Sequence, residues 1–215
     1  MGWSDLVAYL PELGLRLRRR AAHLTHRIYW DLRDALSVSE RHAEPGAPRL
    51  RVLFVCHGNI CRSPLAAATL RDKLTRVGLE ALVGVDSAGT SAGNVGKRPH
   101  WKARTCARRH GLTISERRSR EFIQLDFERF DHILVMDEAN RRDVLRLARD
   151  AGDMGRVRLL LEATGGGEIP DPIEGPASEV EAAFRLIDIA CARLAAEMAL
   201  ALERYQVTGA PLDPG

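Results

Sequence analysis

The chain has 215 residues, 45% of them hydrophobic, which is enough to bury one sizeable core and to carry an extension. Its 32 basic and 29 acidic residues nearly balance, and this argues against a nucleic-acid partner. No apolar run approaches the roughly 18 residues of a membrane span, no secretory signal opens the chain, and the four cysteines follow no disulfide pattern, so we expect free thiols in the cytoplasm.

Residues 1–48 have the pattern of an added helix followed by a linker. Apolar residues recur every three or four positions between residues 10 and 36, which predicts one amphipathic helix. Five arginines and two histidines, with no acidic residue, lie between Arg16 and Arg27. This helix could contact an anionic membrane surface or a partner's groove, or it could pack on its own domain or a second copy with its arginines solvated, which we favour. Residues 45–48, Pro-Gly-Ala-Pro, then form the linker.

Residues 49–215 alternate strand-like and helical segments, the pattern of a parallel sheet covered by helices. The sequence predicts strands over residues 52–56, 82–86, 132–136 and 157–161, and helices over residues 64–77, 100–110, 138–150 and 178–205. Right-handed crossovers would join these strands into a single doubly wound α/β domain, a four-stranded parallel sheet with helices on both faces. Ligands of such folds bind outside the carboxyl ends of the strands.

The most informative segment begins in the first predicted strand and runs through residues 56–64 into a helix. Cys56 stands at the strand end, and Arg62 follows after five residues that can curl around a tetrahedral oxyanion. Free backbone N–H groups and the positive end of the helix dipole converge there, and the guanidinium group can bind two oxyanion oxygens. The same positive field favours the thiolate of Cys56, which could attack a bound phosphoryl group in line.

Three other residues of this segment have roles that local geometry predicts. Gly58 relieves the tight turn of the loop. Ser63 is placed to cap the helix, and Pro64 to occupy its first position, where a missing N–H group does no harm. The segment therefore predicts a strand, an anion-binding loop and a helix in direct succession.

With this loop the chain resembles the low-molecular-weight protein tyrosine phosphatases, whose signature is an N-terminal cysteine loop of this form. The resemblance covers residues 49–204 and includes further blocks in the same order. These are Asp86-Ser87-Ala88-Gly89-Thr90, Asn94-Val95-Gly96 with Pro99, His110-Gly111, residues 131–137 and Asp171-Pro172. A cysteine and an arginine separated by five residues are a weak signal alone, but the ordered set of blocks is specific.

The resemblance implies an enzyme that hydrolyses phosphotyrosine in proteins through a phosphocysteine intermediate, without a cofactor. It implies that Asp171, on a glycine- and proline-rich loop, protonates the leaving oxygen and later deprotonates the attacking water. The substrate would be a phosphorylated protein. The phosphate-binding loop would comprise His57, Gly58, Asn59, Ile60, Cys61, Arg62 and Ser63, with backbone amides pointing inward and the side chains of His57 and Ile60 facing outward.

Supporting residues follow from the same resemblance. It pairs Asn59 with Ser87 through a hydrogen bond that holds the shape of the loop. Ser63 would donate to the Cys56 sulfur, and this would make the thiolate a better leaving group in the second step. Asp137, at the end of a predicted strand, would support the site indirectly.

The remaining cysteines leave one alternative open. Cys61 could form a reversible disulfide with Cys56 that protects it from over-oxidation, or it could be a small buried residue. Cys106 and Cys191 fall in predicted helices and are expected in the core. The seven histidines show no metal-ligand spacing, so no metal site is expected.

The chain departs from the family at the mouth of the site. Phosphotyrosine-specific members line it with aromatic residues, and the matching positions here are Gly93, Ile173 and Glu174. Trp101 is nearby in sequence and could substitute, although a helical tryptophan is more often in the core. Without aromatic walls the substrate loses contacts of roughly 0.5 to 1.5 kcal/mol per ring pair.

Two related chemistries therefore remain as alternatives. Protein arginine phosphatases of this family resemble the chain but carry threonine at the position of Ile60, which argues against them. Arsenate reductases that reuse this loop usually carry glutamine where Pro64 stands and need an extra cysteine pair on a mobile segment. A phosphate-binding module without activity is disfavoured because Cys56, Arg62 and Asp171 are all present.

Overall fold

The computed structural model describes residue 48 and residues 50–208, with the backbone alone described for residues 204–208. The helix predicted between residues 10 and 36 lies outside the described residues.

Strands and helices alternate along the chain as the sequence predicts. The strands are β1 (Leu50–Cys56), β2 (Val83–Gly89), β3 (His132–Val135) and β4 (Val157–Leu159). The α-helices are α1 (Arg62–Arg76), α2 (Trp101–Arg109), α3 (Asp126–Arg129), α4 (Glu138–Leu145), α5 (Ala151–Gly155) and α6 (Ala177–Thr208), and 3-10 turns cover Ala92–Asn94 and Leu160–Thr164.

The four strands form one parallel sheet in the order β2-β1-β3-β4. The chain runs outward from β1 to β2 and then crosses back to β3 on the other side of β1, so the direction of winding reverses between β1 and β3. This confirms the predicted doubly wound α/β fold. The reversal places a crevice outside the carboxyl ends of β1 and β3, where ligands of such sheets bind.

Strand β1 supplies apolar residues to both faces of the sheet. Val52 and Phe54 belong to a core with α1, α2 and α6, whereas Leu53 and Val55 belong to a second core with α3 and α4. All four side chains are fully buried. Successive side chains of a strand point to opposite faces, so a continuous apolar run is required where both faces are covered.

The start of α1 differs from the prediction. The helix begins at Arg62, and Cys61 stands at its N-cap position without a side-chain hydrogen bond. Ser63 and Pro64 therefore lie inside the first turn, and the predicted capping role of Ser63 is wrong. The C-terminal end of α1 agrees with the predicted glycine cap. Gly78 has a φ of 71°, the left-handed conformation that favours glycine after a helix.

Two further segments differ in extent. The helix predicted over residues 138–150 ends at Leu145, and a separate, unpredicted helix, α5, begins at Ala151, where Asp150 caps it by accepting a hydrogen bond from the Asp153 amide at 2.8 Å. The predicted last strand ends at Leu159, where the chain turns into a 3-10 segment. Within the described residues, no helix is both long enough and apolar enough to span a membrane.

Candidate active site

The candidate nucleophile is held at the end of β1. Cys56 is the last residue of that strand and is 3% exposed. Its Sγ lies 3.0 Å from Ser63 Oγ, which comes from the first turn of α1. The hydroxyl of Ser63 also lies 3.2 Å from the carbonyl oxygen of Ala88, to which it can donate. A hydroxyl has one proton, so it donates either to this carbonyl or to the sulfur.

Asn59 holds the shape of the loop from inside. Its amide nitrogen donates to Ser63 Oγ and to Ser87 Oγ, both at 2.9 Å, so the pairing with Ser87 expected from the resemblance is present. Its side-chain oxygen accepts from the Arg120 amide at 2.9 Å. Asn59 is 2% exposed and has a φ of 51°, a left-handed conformation that asparagine tolerates better than most residues.

The conformational role expected of Gly58 therefore belongs to Asn59, since Gly58 is absent from the residues with positive φ. Gly58 serves a spatial need instead, because a Cβ there would lie 2.7 Å from the side-chain nitrogen of Asn94. Gly89, at the end of β2, has even less space for a side chain, because its close neighbours are backbone atoms. A Cβ on Gly89 would lie 2.8 Å from the His57 carbonyl oxygen and 2.9 Å from the Asn59 amide. Any side chain at this position would displace the loop backbone.

A second segment, whose role no sequence pattern indicates, supports the loop from outside. Ser119 Oγ donates to the Gly58 carbonyl at 3.0 Å. The side chain of Arg120 forms ion pairs with Asp86 at 3.0 Å and with Asp126 at 2.9 Å. Burial opposes the charge of Arg120, but these two carboxylates outweigh it and raise the pKa of the guanidinium above its usual range. The buried charges thus fix the segment whose amide binds Asn59.

The loop backbone is arranged to bind an anion. Among the described residues, the amides of residues 57–61 donate to no backbone or side-chain acceptor. Because these amides lie between the nucleophile and the start of α1, the helix dipole adds a partial positive charge on the same side. His57 is exposed and Ile60 half-buried, as expected for side chains that face outward.

Arg62 joins the loop to the two candidate carboxylates. Its side chain is fully buried and donates to Asp137 Oδ2 at 2.5 Å, to the Ile169 carbonyl at 2.8 Å and to Asp171 Oδ2 at 2.5 Å. Burial disfavours the charged guanidinium, yet Cys56, Asp137 and Asp171 together raise the pKa of Arg62. Asp137, which also caps α4 at 2.7 Å, contacts Arg62 directly rather than through another residue.

Asp171 lies at the edge of the crevice on the segment between the second 3-10 turn and α6. The segment is anchored by Ile169, which is fully buried and whose amide donates to the Met136 carbonyl at 2.8 Å. The side chain of Asp171 is 39% exposed, and Oδ1 accepts from the Ile173 amide at 3.3 Å. The fold thus brings Asp171 to the arginine of the cysteine loop across 109 residues of sequence.

The remaining thiols are buried and unpaired. Cys61 is 3% exposed, and burial, with Cys56 and Asp171 nearby, raises the pKa of its thiol to about 12. Cys106 and Cys191 are buried in α2 and α6, as predicted. A thiol held in its protonated form reacts slowly, so the arrangement favours the buried-residue interpretation of Cys61.

Among the described residues, Trp101 is an exposed aromatic ring near the positions that correspond to the family's aromatic walls. Gly93 lies in a 3-10 turn, and Ile173 packs against the main core. Trp101 is 57% exposed, so the expectation that it is a core residue is wrong. It is the first residue of α2 and faces away from that helix's buried side, which carries Ala103, Cys106 and Ala107.

The start of α2 is tied to both loops of the site. The His100 amide donates to the Ile60 carbonyl at 2.8 Å. Lys102 Nζ donates to the carbonyl oxygens of Ile173 at 3.0 Å and Gly175 at 2.6 Å. Trp101 therefore stands between two residues, His100 and Lys102, that bond the cysteine loop and the segment after Asp171.

Comparison with protein families gives a match over most of the chain. Residues 51–204 match the family model described as low molecular weight phosphotyrosine protein phosphatase. A human protein of that name is 37% identical over 140 residues, which are 62% of this chain and 86% of the human protein.

Solved structures agree with the fold. A protein tyrosine phosphatase from Entamoeba histolytica, crystallised with Hepes in its active site, has a TM-score of 0.66 and 28% identity. The aligned region covers 73% of this chain and 99% of the Entamoeba chain. Wzb of Vibrio vulnificus, in complex with benzylphosphonate, has a TM-score of 0.62 and 26% identity, and covers 69% of this chain and 98% of its own.

Proposed function

Because the chain belongs to the low molecular weight phosphotyrosine protein phosphatase family, and is a cysteine-dependent protein tyrosine phosphatase, we propose that Cys56, Arg62 and Asp171 carry its chemistry. The observation that carries the proposal is the convergence of these three side chains on one loop at the carboxyl end of β1. Phosphate release from a phosphotyrosyl peptide tests it. The competing reactions are phosphate release from a phosphoarginine peptide and reduction of arsenate to arsenite by added thiol. Faster turnover of either competitor would assign the site to that chemistry.

In the first step the Cys56 thiolate attacks phosphorus, and the bond to the leaving oxygen breaks on the opposite side. The amides of residues 57–61 and the guanidinium of Arg62 bind the phosphoryl oxygens as charge redistributes. Asp171 must be protonated to give its proton to the leaving oxygen. In the free enzyme Arg62 binds Asp171 as a carboxylate. A bound phosphate competes for the same guanidinium nitrogen, so Asp171 leaves Arg62, takes a proton from solvent and then gives that proton to the leaving oxygen.

In the second step water attacks the phosphocysteine, and Asp171 takes the proton of that water. The phosphorus–sulfur bond breaks and returns the thiolate of Cys56. The Ser63 hydroxyl, 3.0 Å from the sulfur, then donates to the developing negative charge. Asn59 donates to the oxygen of this hydroxyl and holds it in place, while its proton turns from the Ala88 carbonyl to the sulfur.

Ser63→Ala is expected to slow the second step more than the first. A hydrogen bond to a charged group contributes about 1.5 to 3 kcal/mol, so breakdown of phosphocysteine should slow by about 10- to 100-fold. Rapid-quench measurements with an activated aryl phosphate should then show a burst of phenol release followed by a slow steady state. Ser178→Ala, an exposed serine near the start of α6, is the matched control. An equal loss in both steps would contradict the assigned role.

We propose that Trp101 supplies the aromatic contact that Gly93 and Ile173 do not. Its exposed ring lies on the helix start that bonds both the cysteine loop and the Asp171 segment. Lys102 Nζ lies 5.9 Å from the centre of the same ring, and the His100 ring lies 5.7 Å away. The neighbours hold the indole at the mouth, where a phosphotyrosyl ring would pass.

Trp101→Ala is expected to weaken binding of aromatic ligands by about 3- to 10-fold, the range of one aromatic pair. The probe is benzylphosphonate, the ligand bound to Wzb of Vibrio vulnificus. Inhibition by benzylphosphonate should weaken, while inhibition by inorganic phosphate, which has no ring, should not change. Trp101→Phe should restore most of the loss. Equal inhibition constants for benzylphosphonate in wild type and Trp101→Ala would show that the indole does not contact the ligand.

We further propose that residues 49–215 form the phosphatase domain and that residues 1–48 are an extension to it. A phosphorylated protein is the proposed substrate, and the cytoplasm the proposed compartment, because the four cysteines are free thiols. The basic segment of residues 10–36 is proposed to pack on this chain or on a second copy, with an anionic membrane or a partner groove as the alternative.

A further inference from the structure

Three potential metal ligands converge on the side of α2 that faces α6. They are Cys106, His110 and Glu181, and their ligand atoms all lie within 4.8 Å of one another. Cys106 and His110 are one helical turn apart and therefore share a face. Glu181 is the fifth residue of α6, so the cluster joins elements that are distant in the sequence. None of the three belongs to the proposed catalytic machinery.

The surroundings hold these side chains together. The ring of His110 stacks on Phe184 with 4.1 Å between centres, and its Nε2 contacts Glu181 Oε1 closely. Cys106 is 3% exposed, whereas the side chain of His110 is 37% exposed. His110 and Phe184 also line a surface cleft of about 420 Å³. The cluster thus has a buried sulfur and a solvent-facing nitrogen.

The cluster also contains an unsatisfied acceptor. Glu181 Oε2 is buried and has no hydrogen-bond partner among the described residues. The Cys106 thiol lies close enough to interact with the Glu181 carboxylate, but within the described residues Oε2 itself has no hydrogen-bond donor. Burial, with this carboxylate, raises the pKa of the Cys106 thiol to about 12. A buried carboxylate oxygen without a donor is stabilised by a cation.

We propose that Cys106 Sγ, His110 Nε2 and the Glu181 carboxylate bind a zinc ion. Thiolate, imidazole and carboxylate are all ligands of Zn²⁺, and three protein ligands leave the fourth tetrahedral position to water. The sulfur disfavours Mg²⁺ and Ca²⁺, which prefer oxygen. The contact between His110 and Glu181 must lengthen to roughly 3.3 Å, the separation of two ligands each about 2.0 Å from a tetrahedral ion.

Binding releases a proton. The ion forms a bond to sulfur as the thiol proton of Cys106 leaves to solvent, and His110 must be neutral to offer its lone pair. Thiolate and carboxylate together balance the two charges of the ion. Arg109 is a nearby cation, which opposes the ion but favours its anionic ligands.

The site would fasten α2 to α6 rather than take part in catalysis. The experiment uses the full chain carrying Cys56→Ser, which removes the sulfur of the proposed nucleophile as a competing metal ligand. Titration with Co²⁺ should give one equivalent of binding and a near-ultraviolet charge-transfer band from cobalt and thiolate. Excess Zn²⁺ should displace the Co²⁺ and raise the Tm.

Replacing each ligand separates this site from adventitious binding. Cys106→Ser should abolish the band, and His110→Gln, at an exposed position, should weaken Co²⁺ binding by at least about tenfold. Cys191→Ser removes a buried thiol from α6 outside the cluster and should leave the titration unchanged. The proposal is overturned if the band persists without Cys106, or if no stoichiometric band forms in the folded parent.

Discussion

Cys56→Ser is expected to abolish turnover of a phosphotyrosyl peptide while leaving oxyanion binding intact. A serine hydroxyl at this position stays protonated and cannot form the phosphocysteine, so kcat should fall by at least about 10⁴-fold. The binding groups remain, because the loop amides, Arg62 and the Asn59 contacts do not involve the sulfur. Phosphate release in reductant, without added metal, measures the first effect, and calorimetric binding of benzylphosphonate measures the second.

Cys191→Ser is the matched control for this experiment. Cys191 is fully buried in α6 and directs its thiol toward the Ala66 carbonyl at 3.6 Å, so it contributes packing and no chemistry. Its replacement should leave kcat within about twofold, since surface and packing changes away from a site act mainly on stability. Appreciable turnover by Cys56→Ser would rule out the covalent mechanism. Loss of benzylphosphonate binding would show instead that the sulfur is needed to shape the loop.

The cysteine loop could be predicted because its parts are consecutive. A strand, a thiol, a loop, an arginine and a helix start follow one another within residues 52–64, and each has a local physical signal. The sheet was predictable for a related reason, because a four-residue apolar run such as that in β1 is needed where both faces of a strand are covered.

The supports of the loop could not be predicted in this way. Ser119 binds the loop across 61 residues, and Gly89 is required by a close approach between backbones rather than by its own φ. Ser63 shows how tertiary contacts override a local rule. Its hydroxyl is directed to Cys56 and Ala88, so it does not cap the helix although its sequence position permits it. The positive φ likewise falls on Asn59, whose side chain has three partners.

These contacts also explain why the loop is ready for an anion before one binds. The Asn59 side chain bonds Ser63, and the Ser119 hydroxyl donates to the Gly58 carbonyl. These bonds hold the loop from two sides and leave its backbone amides free to bind an anion. Arg62 is held by Asp137 and by the Ile169 carbonyl, and neither contact uses the nitrogen that binds Asp171. One guanidinium nitrogen is thereby fixed to the fold, and the other can pass from Asp171 to a phosphoryl oxygen. Preorganised donors of this kind lower the barrier because they need not reorient during the reaction.

Asp171→Asn is expected to slow turnover most for substrates with poor leaving groups. The amide keeps a polar contact at this position but cannot give a proton to the leaving oxygen or take one from water. For a phosphotyrosyl peptide, kcat should fall by about 10²- to 10⁴-fold. For an aryl phosphate with an acidic phenol, the first step needs no acid and should change little, so slow breakdown of phosphocysteine would then limit the rate. A series of aryl phosphates whose phenols differ in acidity measures this effect. The rate of the first step should fall more steeply with rising phenol pKa in the variant than in the wild type.

The control is Glu168→Gln, which removes a carboxylate from the same segment three residues before Asp171. Glu168 accepts from the Glu138 amide at 3.2 Å and has no contact with Arg62 among the described residues. Its replacement should leave the leaving-group dependence unchanged. If Asp171→Asn and wild type respond equally to phenol acidity, Asp171 is not the acid, and its ion pair with Arg62 would then serve only to hold the free site. In the proposed mechanism, phosphate binding breaks that ion pair. If Asp171 has only a structural role, the variant should therefore bind benzylphosphonate more tightly, and the dependence of its rate on phenol acidity should match that of the wild type.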